Sequence, residues 1–285
     1  MGTTPTPLRR ILIEPLVRAA LLEDLGRAGD LTTDAIVPSG LMTHAALVAR
    51  QSGVLAGLDL AKLAFELIDP KIVVDGEEHD GVALAPGQVI AKVRGPAGGI
   101  LTAERTALNF LGHLSGIASV TASIVAAVQG TKAQIVCTRK TTPGLRTVEK
   151  YAVRAGGGGN HRFGLDDAIL IKDNHVAIAG GIRQALQRAR AAAGHLVKIE
   201  IEVDRLDQLN EALAEGADAV LLDNMSLEML AEAVGIVAGR AITEASGRVT
   251  PASAPAIAAT GVDLISIGWL THSAPVLDIG LDFEA

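Results

Sequence analysis

Charged side chains recur in this sequence directly after short apolar runs. Thr138-Arg139-Lys140 follows Gln134–Cys137, and Lys172-Asp173-Asn174 follows Ala168–Ile171. Glu202 and Asp204 follow Ile199–Ile201, and Asp223-Asn224 follows Ala219–Leu222. Glu244-Ala-Ser246-Gly247 follows Ala241–Thr243, and Gly268 follows Leu264–Ile267. A glycine run over 156–159 leads into Asn160-His161-Arg162. Between residues 138 and 174 there are seven Lys/Arg against four Asp/Glu, in a chain whose formal charge is −7.

Arginine presents a planar fork matched to carboxylate or phosphate, and lysine a compact point charge. Such a set suits a small, strongly anionic ligand. Glu202 and Asp223 could hold Mg²⁺, which takes one or two carboxylates together with substrate phosphates. Two carboxylates could also flank a glycosidic bond, but the surrounding cations favour the metal–phosphate version. Ser246-Gly247 and Gly268 stand where barrels commonly receive a phosphate, after the last two strands. The glycine run is weaker, since it serves equally as an anion cradle, a tight turn or a linker. Lys150 and Arg154, four apart, read as a solvated helix face.

The elements that must position these groups follow from the pattern. From residue 130 on, the six apolar runs (the third extending back to Val197) alternate with helix-like segments at Leu145–Ala155, Ile182–Ala193, Leu206–Ala214, Leu227–Ala238 and Pro251–Ala259. Continuous apolar strands separated by helices mean parallel strands covered on the outside, as in an α/β barrel or a doubly wound sheet. In a barrel the strand C-termini meet at one mouth. Helix capping alone explains one Asp or Asn after a strand, but not cations after two strands and acids after three.

Earlier in the chain, Glu14–Leu25 reads as a helix, Asp30–Asp34 as a polar loop, His44–Arg50 as a strand and Leu58–Ile68 as a helix. Residues 72–93 read as short strands in a β-sandwich. Their pattern is also found in lipoyl- and biotinyl-carrier modules, but Lys92 falls inside a strand and not on a hairpin tip. The uncharged stretch Thr106–Thr131 contains Gly112 and Gly116 and reads as helix, break, helix, not a membrane span.

At 285 residues the chain can bury a sizeable core in one large or two modest domains. Its acidity argues against a general nucleic-acid binder, and aromatics at 2% remove the stacking platforms of single-strand binders. A lone cysteine, Cys137, excludes an internal disulfide or a multi-cysteine metal site. No secretory signal is evident at the N-terminus, and Met1-Gly2 with Thr6 fits only a loose N-myristoylation pattern. The expectation is a cytoplasmic protein without nucleic-acid or membrane partners.

Taken together, Thr138–Arg146, Gly156–Arg162, Leu170–His175, Leu101–Thr106, Asn109, His113–Ala118, Glu200–Asp204, Leu222–Asn224, Thr243–Gly247 and Leu277-Asp278 resemble the quinolinate phosphoribosyltransferase family over nearly the whole chain. The resemblance implies an α/β fold: an N-terminal α/β sandwich domain over 1–115, joined by the tail 271–285, plus an incomplete (β/α) barrel over 116–270, usually of seven strands. It implies transfer of phosphoribosyl from 5-phosphoribosyl 1-pyrophosphate to quinolinate, with Mg²⁺ and loss of CO₂. Arg139, His161, Arg162 and Lys172 would hold quinolinate, with Arg105 arriving from the partner in a homodimer. Lys140, Glu202, Asp223, Ser246, Gly247, Gly268 and His272 would serve the phosphoribosyl substrate, Glu202 and Asp223 through the metal, with Lys140, Glu202 and Asp223 catalytic. Arg248 departs from a pattern that usually has Gly or Asn there. The alternatives are a sibling acting on nicotinate or another heterocycle, a Schiff-base aldolase built on Lys172, and a carrier module.

Overall fold

A computed structural model describes residues 5–283, so the Met1-Gly2 pair of the acylation pattern lies outside the described residues. The chain begins with α1 (Arg10–Leu25), α2 (Leu31–Ile36), β1 (Met42–Ala49), β2 (Gly53–Val54), α3 (Leu58–Ile68), β3 (Val73–Gly76), β4 (Ala83–Leu84), β5 (Val89–Pro96) and α4 (Ala97–Ala127). Then come β6 (Gln134–Val136), α5 (Arg146–Ala155), β7 (Ile169–Ile171), α6 (Asp173–Ala179), α7 (Ile182–Ala192), β8 (Ile199–Val203), α8 (Leu206–Ala214), β9 (Ala219–Asp223) and α9 (Leu227–Val237). The last elements are β10 (Ile242–Ser246), α10 (Ala254–Ala259), β11 (Leu264–Ser266), α11 (Trp269–His272) and β12 (Ile279–Phe283).

Two compact units result. The first gathers the chain up to Ala122 with Thr141–Gly157 and the segment from Leu270 on. Its four-stranded sheet has the order β12-β1-β5-β3, with every pairing antiparallel, and β2 and β4 form a separate short ladder. Lys92 sits within β5, exposed and ion-paired to Glu77 at 3.2 Å, as a structural strand residue would be. Residues 30–34, expected as loop, instead open α2, because the Asp30 carboxylate accepts from Thr33 N–H at 3.0 Å and caps it. The N-terminus of α3 is capped from a distance: buried Asp80 accepts from Gly57 N–H at 2.9 Å and Leu58 N–H at 3.1 Å. Tyr151 of α5 donates to the same carboxylate at 2.7 Å.

The expected break in the 106–131 stretch is absent. Helix α4 runs unbroken for 31 residues through both glycines. Their role is close approach and not interruption. A Cβ on Gly112 would lie 2.9 Å from Leu277 O, and one on Gly116 would overlap Pro275 O. By length and composition α4 could cross a bilayer, yet half of its most apolar window is buried inside the protein. Lys150 is a second correction. It is 1% exposed, so α5 does not present it to solvent, whereas Arg154 is exposed.

The second unit holds Ser123–Lys140 and Gly158–Trp269. Six parallel strands run in the order β6-β11-β10-β9-β8-β7, and helices α6 to α10 connect β7 through β11. A seventh position exists as a single parallel bridge from Val136 to Gly159. Gly159 N–H donates to Ile135 O at 2.7 Å, and Cys137 N–H to Gly159 O at 3.2 Å. A Cβ there would come within 2.9 Å of Gln134 Nε2, so the glycine run reads as barrel wall more than as linker.

The two kinds of helical glycine give opposite expectations. Gly116→Ala should destabilise by roughly 1–3 kcal/mol through overpacking. Gly235→Ala, on an α9 position with nothing within 4 Å, should stabilise by roughly 0.5–1 kcal/mol. Thermal denaturation of the two variants against the parent checks both signs.

Candidate active site

Polar side chains at the mouth of the second unit arise from strand alternation. In β8, Ile199, Ile201 and Val203 are buried on one face, so Glu200 and Glu202 share the other. In β9, Val220, Leu221 and Leu222 are all buried, and Asp223 closes the strand in register with Ser246 of β10. β10 extends beyond its expected end and carries Glu244 inside the barrel, at 1% exposure.

Arg139 and Arg162 are both partly buried. Burial first, and the Arg139 charge second, lower the Arg162 pKa. Two guanidinium groups close enough to disfavour one another create a strongly positive site. Arg162 Nη1 donates to Ala168 O at 3.1 Å, which aims its fork. Arg139 Nε is buried and has no hydrogen-bond partner among the described residues. A buried donor of that kind is costly unless an anion meets it.

His161 links these cations to two carboxylates. Its Nδ1 accepts from Arg162 N–H at 2.7 Å, so Nε2 carries the proton and donates to Glu200 Oε2 at 2.8 Å. Glu244 Oε2 lies 3.7 Å from the same Nε2. One donor atom from each of the three side chains falls within a 4.8 Å cluster, a spacing that a cation could bridge. A proton meets the same electrostatic need. Burial first, and the Glu200 charge second, push Glu244 up to about 7. The charge of His161 and a hydrogen bond from Ser266 oppose that rise.

Glu202 and Asp223 also face each other. Burial first, and the Asp223 charge second, raise the Glu202 pKa, while Lys172 opposes them. Asn224, at φ 53°, donates from its side chain to Asp223 Oδ2 at 2.6 Å and from its backbone to Ser246 O at 2.9 Å. Gly247, at φ +109°, fits only because it lacks a side chain, since a Cβ would overlap Asn224 Oδ1. Gly268 has the same function for Lys140, whose Cδ would stand 2.6 Å from an added Cβ. Exposed Lys172 caps α6, its N–H donating to His175 Nδ1 at 2.9 Å.

The second unit thus gathers ten of the expected residues: Arg139, Lys140, His161, Arg162, Lys172, Glu202, Asp223, Ser246, Gly247 and Gly268. Arg105 and His272 belong to the first unit. There Arg105 is exposed on α4 and, with Asn109, His113, Glu23 and Asp24, lines a pocket of about 380 Å³. His272 is exposed, its Nδ1 2.6 Å from Ser273 Oγ. Sequence reasoning passed over Glu200 and Glu244 as site residues. The Glu-Ile-Glu alternation was the available signal for the first, and the second needed the true end of β10.

Glu244 generates a pH-dependent stability. The folded state keeps its proton to about 7, against 4.5 for an ordinary glutamate, so stability is lost as pH rises through that window. Glu244→Gln removes the titration. It should exceed the parent in stability at pH 8 by up to about 3 kcal/mol and show little advantage at pH 4. Melting curves at the two pH values check this, and an equal gain at both would assign the effect to packing.

Models of the quinolinate phosphoribosyl transferase C-terminal and N-terminal domains match residues 117–282 and 30–115. The chain is 48% identical over 274 residues to the nicotinate-nucleotide pyrophosphorylase [carboxylating] of Mycobacterium leprae, covering 93% of this chain and 95% of that one. It is 44% identical over 275 residues to a probable nicotinate-nucleotide pyrophosphorylase [carboxylating] of Bacillus subtilis, covering 96% and 94%. The crystal structure of NadC from Streptococcus pyogenes superposes with a TM-score of 0.94 at 42% identity, covering 98% of this chain and all of that one.

Proposed function

Because the chain belongs to the quinolinate phosphoribosyl transferase family, we propose a division of labour among its barrel residues. The activity is transfer of phosphoribosyl from 5-phosphoribosyl 1-pyrophosphate to quinolinate with loss of CO₂. It yields nicotinate mononucleotide and pyrophosphate, in de novo NAD synthesis. The orphaned Arg139 Nε, beside a second partly buried guanidinium, is the observation that carries the site reading. A dicarboxylate satisfies both forks, whereas a monocarboxylate such as nicotinate leaves one unmet.

Arg139 and Arg162 hold the two quinolinate carboxylates, with Lys172 as a point charge at the rim. His161 has both ring nitrogens engaged, so its part is to fix the Arg162 backbone. Lys140, its stem lying over Gly268, offsets the charge of the departing pyrophosphate. Ser246, Gly247 and Gly268 receive phosphate. Loss of pyrophosphate leaves an oxocarbenium-like ribosyl centre, which Glu202 and Asp223 stabilise. Once the pyridine nitrogen carries the ribosyl group, the C2–carboxylate bond breaks, CO₂ leaves, and the electron pair left on C2, stabilised by the adjacent cationic nitrogen, takes up a proton from water.

Glu202 and Asp223 fit Mg²⁺, directly or through water. Burial first and the Asp223 charge second raise the Glu202 pKa, and a divalent cation between the two would favour both charged forms. When bound, the ion would neutralise pyrophosphate charge.

The direct test supplies quinolinate or nicotinate with 5-phosphoribosyl 1-pyrophosphate and Mg²⁺, then follows CO₂ and mononucleotide. Product from nicotinate but not quinolinate would overturn the assignment. Arg139→Lys keeps the charge and loses the fork. Its quinolinate KM should rise about 10- to 100-fold, the loss expected for one charged hydrogen bond, with little change for the phosphoribosyl substrate.

Arg105 is proposed to act across a two-fold dimer, since each chain of such a pair presents the same patch to the other. Arg105→Ala and Arg162→Ala should each be inactive as homodimers. After subunit exchange, mixed dimers carry one intact mouth, so random pairing restores about a quarter of the sites. Confirmed exchange without recovered activity would remove the trans role.

A further inference from the structure

Arg248 stands immediately after Ser246-Gly247, at the C-terminal end of β10. Its backbone is in the left-handed region, at φ 47°, which favours glycine. The strain does not come from a loose loop. On one side Ser246 O accepts from Asn224 N–H at 2.9 Å. On the other, Val249 is buried and its carbonyl accepts from Trp269 Nε1 at 2.8 Å. Beyond it, Thr250 and Ser253 exchange backbone-to-hydroxyl bonds of 2.9 and 3.1 Å. The segment is tied at both ends, and the residue between the ties carries a strain that glycine would remove.

The side chain offers no structural return for that strain. Arg248 is exposed and makes no hydrogen bond or ion pair among the described residues, although Asp223 lies in the same strand-end cluster. Ser246 Oγ is equally without a hydrogen bond among the described residues. A strained cation and an uncommitted hydroxyl therefore flank one glycine at the end of a barrel strand. Backbone strain that survives without internal compensation points to a ligand. A tetrahedral oxyanion can accept from a hydroxyl and a guanidinium at once.

We propose that Arg248 is a phosphate-binding residue of this chain, joining Ser246 on the phosphate monoester of the phosphoribosyl substrate and setting its affinity. The proposal rests on the reading of Ser246-Gly247 as the phosphate end of the site. It makes Arg248 a specificity residue for the phosphorylated sugar, with no part in holding quinolinate.

Ribose 5-phosphate is a suitable probe, because it carries the monoester without the pyrophosphate. Its binding can be measured by calorimetry, and the fluorescence of Trp269, the chain's single tryptophan, reports from the tied loop. Arg248→Gly should melt no lower than the parent, since it relieves the left-handed strain, yet bind ribose 5-phosphate about 10-fold more weakly. Arg248→Lys should bind between the two. The KM for 5-phosphoribosyl 1-pyrophosphate should rise with Arg248→Gly while that for quinolinate stays within twofold. Binding of ribose 5-phosphate to Arg248→Gly within twofold of the parent, or no binding to the parent at millimolar concentration, would overturn the proposal. Failure of the parent to turn over quinolinate while these binding differences persist would instead strike the functional reading and leave Arg248 as a phosphate ligand.

Discussion

A histidine proton shared out among carboxylates organises the barrel interior. His161 gives its one proton to Glu200 and accepts from the backbone of Arg162, while Glu244 waits 3.7 Å away without a cation of its own. Two carboxylates buried beside one imidazole repel each other, and burial together with that repulsion makes Glu244 keep its proton into the neutral range. The hydrogen bond to Arg162 N–H then fixes the chain where the positive anchor begins. The cationic floor and the acidic core are thus one network. Disturbing the proton on the hidden acid would reach the ligand through the imidazole.

Much of the fold could be read from residue order because parallel strands leave a strong trace. Helices α3 and α8 fall on the expected residues, and the barrel strands fall within two residues of theirs, except that β10 runs three residues further. What misled was context. Gly112 and Gly116 look like breakers until the 275–277 segment is seen lying on α4, a contact between residues about 160 apart. Lys150 has helical spacing with Arg154 but turns inward. The seventh strand is a single bridge at Gly159, too short to leave any periodicity.

The candidate site was legible for a related reason. Charged and small polar or glycine residues after apolar runs mark strand ends, and ten of the twelve expected site residues share the second unit. Pattern alone could not place residues that serve from inside a strand. Glu244 stands just past the apolar run that ends at Thr243, yet the ladder with β9 continues to Ser246. Nor could it show that Arg146, Lys150 and Arg154, counted with the cations of the mouth, belong to the other unit.

The pairing of β12 with β1 has a consequence for synthesis. Strand β1 is made early, but its pairing with Ile279–Phe283 joins residues 230 to 238 positions apart, and the Arg50–Asp282 ion pair spans 232. All of the second unit, Ser123 to Trp269, leaves the ribosome inside that interval. The first unit therefore waits one strand short, with the open edge of β1 exposed, while the unit made after it already has every strand it needs. The order of completion runs against the order of translation, and during that wait a chaperone or a second nascent copy could occupy the unpaired edge.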